Sequence, residues 1–172
     1  ECGFATELIG VDANPEHGRQ AVARGLVDTV LTIEEAAVRS DLIIVAIPVD
    51  GATALLPYIL NLAPESCTVT DMGSTKEGIC AVVEGHAKRS QFVASHPMAG
   101  TENSGPQAAL KGLFQGKAAV ICDAAKSGPE HLARVEKLFH ALGARLIHMG
   151  SKEHDVHAAF VSHLSHISSF VI

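Results

Sequence analysis

Apolar residues fall along the chain in short runs separated by longer amphipathic stretches. Leu8-Ile9-Gly10-Val11 ends at Asp12 and predicts a buried strand. Asn14-Pro15 supplies a cap and a first-turn proline for a helix to about Arg24, which Gly25 stops. Thr29-Val30-Leu31 predicts a short strand and Ile33 to Val38 a short helix. Leu42-Ile43-Ile44-Val45-Ala46 is almost purely aliphatic, the pattern of a parallel strand covered on both faces. Pro48 ends it, Asp50 can cap the next helix, and Pro57 is placed to kink that helix. Thr68-Val69-Thr70 predicts a strand leading to Asp71-Met72-Gly73-Ser74, with a helix from about Thr75 to His86. Phe92-Val93-Ala94 predicts a strand feeding the loop from Ser95 to Gly100. After a polar, glycine-rich stretch and a short helix come a strand over Ala118 to Cys122, a helix from Pro129 to Leu142 and a strand over Arg145 to His148. From Ser151 onward the pattern is helical without interruption.

Strands alternating with helices predict an α/β fold, a doubly wound and mainly parallel sheet of Rossmann type. Residues 1–150 read as the nucleotide-binding domain and 151–172 as the start of a helical one. The last helix reaches Ile172 with an apolar, uncapped end, Ser169-Phe170-Val171-Ile172, and is expected to continue into that second domain. The chain opens on Glu1-Cys2-Gly3, and a preceding segment is expected.

Composition narrows the class. The 172 residues suffice for one domain with a full core, and 47% hydrophobic with 19% charged residues is ordinary for a globular protein. A net charge of -6 argues against a nucleic-acid surface, which needs a basic patch. No apolar run is long enough to predict a membrane helix, no signal peptide is visible, and a cytoplasmic protein is expected. Cys2, Cys67, Cys80 and Cys122 form no CxxC pair and read as reduced, mostly buried thiols. Ten histidines are many for this length and give the first hint of chemistry.

A dinucleotide fold carries a glycine-rich turn after its first strand and an acidic residue at the end of its second. Asp12 fits the acidic position: a carboxylate there can accept both adenosine ribose hydroxyls and would repel a 2'-phosphate. No Arg or Lys follows directly, so the expected cofactor is NAD rather than NADP. The glycine-rich turn, and the strand before it, are expected ahead of Glu1. A plain turn or helix-start role for Asp12 remains open. Ala46, Ile47 and Pro48 lie at the carboxyl end of the most aliphatic strand and Gly73 at that of the next, where open α/β sheets bind ligands. A simple strand-to-helix turn would also account for them.

His96 follows a strand directly, and an imidazole with an ordinary pKa of about 6.5 can serve as base or hydrogen-bond acceptor. Alone, it reads equally as a loop histidine with a local partner. The surrounding residues carry more. Asp71-Met72-Gly73-Ser74-Thr75-Lys76, then the run from His96 through Pro97-Met98-Ala99-Gly100-Thr101-Glu102-Asn103-Ser104 to Gly105, then His154-Asp155 and Ser162-His163-Leu164-Ser165-His166, occur in this order. With these motifs the chain, from about Ile9 onward, resembles the prephenate and arogenate dehydrogenase family.

The resemblance implies NAD-dependent oxidative decarboxylation of prephenate to 4-hydroxyphenylpyruvate, an oxidoreductase step of tyrosine and hence aromatic amino acid biosynthesis. It implies that His96 takes the ring hydroxyl proton and that Ser74 bonds the same hydroxyl and orients His96. A serine hydroxyl donates and accepts at once, although Ser74 also suits the N-cap of the following helix. Thr101 and Glu102 match positions at the active-site entrance, with a solvated polar loop as the plainer reading. On an ideal helix at about 100° per residue, His163 and His166 share a face while His154 and His163 point nearly opposite ways. The resemblance therefore gives His166, with His163, to the substrate, and His154-Asp155 a structural or supporting role. A zinc site from these histidines is the weaker alternative, and no metal is expected. Ser165 stands where the family pattern has proline, which leaves the aim of His166 open. The substrate-carboxylate arginine is expected beyond Ile172, as are helices for homodimerisation. Arogenate as substrate, another hydroxy-acid dehydrogenase reaction, and a non-catalytic nucleotide-binding module are the competing functions. The last has no use for His96 and Ser74, and the hydroxy-acid enzymes need a lysine base on a later helix that nothing here convincingly supplies.

Overall fold

The structure, a computed structural model, describes residues 3–100 and 105–160. Its strands are β1 (Ile9–Gly10), β2 (Thr29–Val30), β3 (Leu42–Val45), β4 (Thr68–Asp71), β5 (Phe92–Pro97), β6 (Ala118–Cys122) and β7 (Arg145–Met149). The helices are α1 (Pro15–Ala23), α2 (Ile33–Arg39), α3 (Val49–Leu62), α4 (Glu77–Val83), α5 (Pro129–Ala141) and α6 (Ser151–Ala158). The mainly parallel α/β architecture expected from the alternation is present. β3 to β7 form one sheet in chain order, and β1 pairs with β2 in a separate parallel ladder.

Local chemistry explains most boundaries. Asn14 caps α1 by accepting from Glu16 N–H, and Pro15 takes the first turn, where its missing N–H costs nothing. Thr32 and Glu35 form a reciprocal capping box on α2. Asp50 does not cap α3: Pro48 holds that position, and Asp50 lies in the first turn, where its charge still suits the helix dipole. Pro57 sits inside α3 without ending it.

The sheet is parallel except at β5 and β6, which run antiparallel with His96 opposite Val120 and Pro97 opposite Ala119. Right-handed crossovers put helices on one face as long as strand direction is kept. Reversing the direction at β6 accounts for α5 lying on the other face. Two cores result. Phe92, Ala94, Val120 and Cys122 point to α3 and α4, where Leu56, Leu60, Ile79 and Val83 are fully buried. Val93, Ala119 and Ile121 point to α5, against Val135 and Phe139. Alternation with period two thus serves both faces at once.

β3 is less covered than its aliphatic run predicts, and Ile44 remains 45% exposed. On its side away from β4 lies a cavity of about 850 Å³, lined by Leu42, Ile43 and Ile44 and, across from them, by Leu8, Ile9 and Val11 near β1. Cys67, Cys80 and Cys122 are free and buried, and burial pushes their thiols up to about 11, 11 and 12. None of the described helices is long and apolar enough to cross a membrane.

Leu56 is fully enclosed in the larger core. Leu56→Ala is expected to lower unfolding free energy by about 2–5 kcal/mol, since both burial and cavity terms are lost. Urea denaturation with an unchanged slope checks this.

Candidate active site

The carboxyl ends of β3, β4 and β5 lie side by side, because all three strands are parallel and in register. Asp71, the last residue of β4, is fully buried there. Its carboxylate accepts from Gly73 N–H at 2.8 Å, from Ser95 N–H at 3.2 Å and from the Lys76 ammonium. Lys76 is equally buried and also donates to the Ser95 carbonyl at 2.9 Å. Burial pushes the Asp71 carboxyl up, and Lys76 with the two backbone N–H groups pulls it back. Ser95 Oγ donates to the Asp71 carbonyl at 2.6 Å and shares a 3.0 Å bond with Thr70 Oγ1. The residue before His96 is therefore held at its N–H, its carbonyl and its side chain. Glycine at position 73 allows a close approach: a Cβ there would stand 2.7 Å from Ile79 Cδ1 and 3.0 Å from Asp71 Oδ2, and Ile79 would have to move.

His96 is the fifth residue of β5 and belongs to the β5–β6 ladder, not to the loop after it as the sequence suggested. Its Nδ1 lies 2.9 Å from His154 Nε2, and the two rings meet edge-on at 74°. His154 is 2% exposed, and its Nδ1 lies 2.8 Å from Asp155 Oδ1. The Asp155 carboxylate also accepts from the backbone N–H of Lys76 and Glu77, at 2.7 and 2.9 Å. It thus caps α4 from a position 78 residues further along the chain than Glu77. Partial burial acts to raise the Asp155 carboxyl, but hydrogen bonds from Glu77 N–H, His154 and Lys76 N–H outweigh it and hold the group below its ordinary value. Burial first, then the repulsion that a protonated His154 and Lys76 would exert on a second positive charge, push His96 down to about 4. At neutral pH His96 is an uncharged imidazole, and its Nε2 makes no hydrogen bond among the described residues.

The family model for the prephenate dehydrogenase nucleotide-binding domain matches residues 1–148. The chain belongs to the prephenate dehydrogenase family. It is 29% identical over 167 residues to the prephenate dehydrogenase of Bacillus subtilis, covering 93% of this chain and 44% of that enzyme. It therefore spans about half the length of the curated relatives it matches. The prephenate dehydrogenase of Aquifex aeolicus superposes with a TM-score of 0.88 at 29% identity, over 98% of this chain and 61% of that one. A second structure of that protein, in complex with hydroxyphenyl propionate and NAD+, gives 0.84, over 98% of this chain and 59% of that one. Synechocystis arogenate dehydrogenase gives 0.79 at 26% identity, over 92% of this chain and 56% of that one.

Within this nucleotide-binding domain, the sequence-derived candidates separate into groups. His96 and His154-Asp155 meet directly. Ala46, Ile47 and Pro48 are exposed at the end of β3, beside the end of β4, where Met72 N–H bonds the Val45 carbonyl at 3.0 Å. Ser74 is exposed on the turn after Gly73, and among the described residues its hydroxyl has no hydrogen-bond partner. It does not cap α4, which begins two residues later than expected because Asp155 supplies the cap. Asp12 is exposed just beyond β1, accepting from Asn14 N–H at 2.8 Å with His17 Nδ1 3.3 Å away. Arg24, at the C-cap of α1, donates to Gln107 at 2.9 Å and ties the segment after Gly105 to that helix end. Thr101, Glu102, His163 and His166 lie outside the described residues.

Sequence reasoning quoted Asp71 and Lys76 without giving them work. A lysine five residues after a strand-end aspartate was the available signal, but nothing in composition tells a fully buried lysine from a solvated one. Lys76→Met is expected to cost about 3–5 kcal/mol at pH 7, because it strands a buried carboxylate. The Asp71 carboxyl would then rise further, so it binds a proton in the folded state above the pH at which the unfolded chain releases it. Stability of the variant relative to the parent should recover as pH falls toward 4. Thermal melts across that range check the sign.

Proposed function

We propose that this chain is the cofactor-binding part of an NAD-dependent prephenate dehydrogenase acting in tyrosine biosynthesis. The observation that carries the reading is His96: neutral, half-buried, backed by His154 and Asp155, with Nε2 free of partners among the described residues and beside the strand ends. A buried neutral imidazole in that place suits removal of a hydroxyl proton.

The residues present fit NAD. Asp12 offers an exposed carboxylate beyond β1 for the adenosine ribose, and no Arg or Lys directly follows it to favour a 2'-phosphate. Ala46, Ile47 and Pro48 give an exposed, largely apolar wall, and Gly73 lets the β4 turn pack closely against Val49. A parallel strand seated in the cavity between β1 and β3 would join the two sheets and bring a glycine-rich turn to the same edge. The Aquifex aeolicus relative with NAD+ bound supports this cofactor. When bound, NAD takes the hydride.

His96 Nε2 accepts the proton of the ring hydroxyl, which raises electron density on the carbon that loses hydride. Ser74 bonds the same hydroxyl and orients it. Loss of carbon dioxide sends the electrons of the carboxylate bond into the ring, which becomes aromatic. Thr101, Glu102, His163 and His166 are assigned to the substrate. A homodimer built through later helices completes the pocket with an arginine for the substrate carboxylate. Three buried, unpaired thiols support a cytoplasmic location. Arogenate is the second reading, favoured by the likeness to the Synechocystis arogenate dehydrogenase.

Absorbance of NADH in the intact protein, with prephenate, arogenate and a panel of hydroxy acids, tests the reaction. Signal with prephenate is expected, and silence with both ring substrates sinks the proposal. His96→Asn should lower turnover by about 10²- to 10⁴-fold with NAD affinity nearly unchanged; near-normal turnover removes His96 from the chemistry. Because His96 titrates at about 4, kcat/KM should hold down to that region and fall below it, as the imidazole gains a proton and can no longer accept one. An acid limb at the ordinary histidine value would contradict this assignment.

A further inference from the structure

Two groups behind His96, His154 and Asp155, determine which of its nitrogens carries hydrogen. Asp155 is held in its ionised form and can only accept, and its Oδ1 lies 2.8 Å from His154 Nδ1. His154 Nδ1 is therefore the protonated nitrogen. In a neutral His154, Nε2 is then bare and accepts across the 2.9 Å contact from His96 Nδ1–H. His96 Nε2 is left with its lone pair. The opposite arrangement needs a doubly protonated His154, a cation at a site 2% exposed. We propose that His154 is a positioning residue: anchored by Asp155, it fixes His96 as the Nδ1–H tautomer and so presents a bare Nε2 to the substrate hydroxyl.

The assignment rests on the reading of His96 as the proton acceptor and adds the residue that makes it one. It also separates the two jobs of Asp155. That carboxylate caps α4 through Lys76 and Glu77, so an Asp155 variant would mix helix stability with tautomer control. His154 touches His96 and Asp155 and is the cleaner handle.

The test is long-range ¹H–¹⁵N correlation on the intact, ¹⁵N-histidine-labelled protein at pH 7, with His96→Asn identifying the His96 signals. His96 is expected with hydrogen on Nδ1 and a bare Nε2. His154→Leu should abolish that preference, and His154→Gln, whose amide oxygen can take the place of Nε2, should restore it. Turnover should follow: kcat down roughly 100-fold in His154→Leu, within the range of positioned proton transfer, with KM little changed and substantial recovery in His154→Gln. A parent spectrum with hydrogen on His96 Nε2 overturns the proposal even if neither variant folds. An unchanged tautomer in a folded His154→Leu overturns it too. These spectra do not depend on turnover, so failure of His96 as the base, seen as an active His96→Asn, is recognised separately.

Discussion

Everything at the strand ends is built on one buried ion pair. Lys76 and Asp71 are both fully enclosed, where charge is tolerated only if every lone pair and proton is used. Here two backbone N–H groups and one backbone carbonyl meet the pair, beside the contact between its own members. Asp71 takes the N–H of Gly73 and of Ser95, and Lys76 takes the carbonyl of Ser95. Such a pair is a poor source of net stability compared with packed hydrocarbon. What it provides is position: the turn after β4 is locked to β5 one residue before His96. Glycine at 73 suits that lock, since a side chain there would crowd Ile79 and the carboxylate itself.

A second polar chain is laid over the first. Asp155 reaches from α6 to the two leading N–H groups of α4 and, through His154, to the ring of His96. Backbone N–H groups at a helix start favour negative charge, which helps keep this carboxylate ionised. The same ionisation assigns the protons of both imidazoles. Burial then keeps His96 uncharged at neutral pH. Helix capping and the hold on the His96 ring are thus one arrangement of atoms.

The elements were legible because apolar period and end signals are local. Ala118 to Cys122 and the Asn14-Pro15 helix start were found from residues within a few positions of each other. Strand direction is not local, so the reversal at β6, which puts His96 inside a ladder, had no signature in the pattern. The partners of His96 were visible as His154-Asp155, but only a resemblance pointed to them, because 58 residues separate the two rings in sequence. Ser74 shows the reverse failure: its spacing suited an N-cap, and a carboxylate from another helix had taken that job. Residues beyond a strand end are read well as a group and badly as individuals, since their contacts are set by elements still to come.

The bond from Asp155 to α4 also makes α6 a mechanical part. The fourth and fifth residues of α6 are His154 and Asp155. A helix that twists by one residue moves each side chain by about 100° around the axis. That motion would withdraw the cap from α4 and the ring from His96 together. α6 therefore acts as a key with a single working angle: in the proposed role of His96, its imidazole keeps its partner only while α6 is seated against α4.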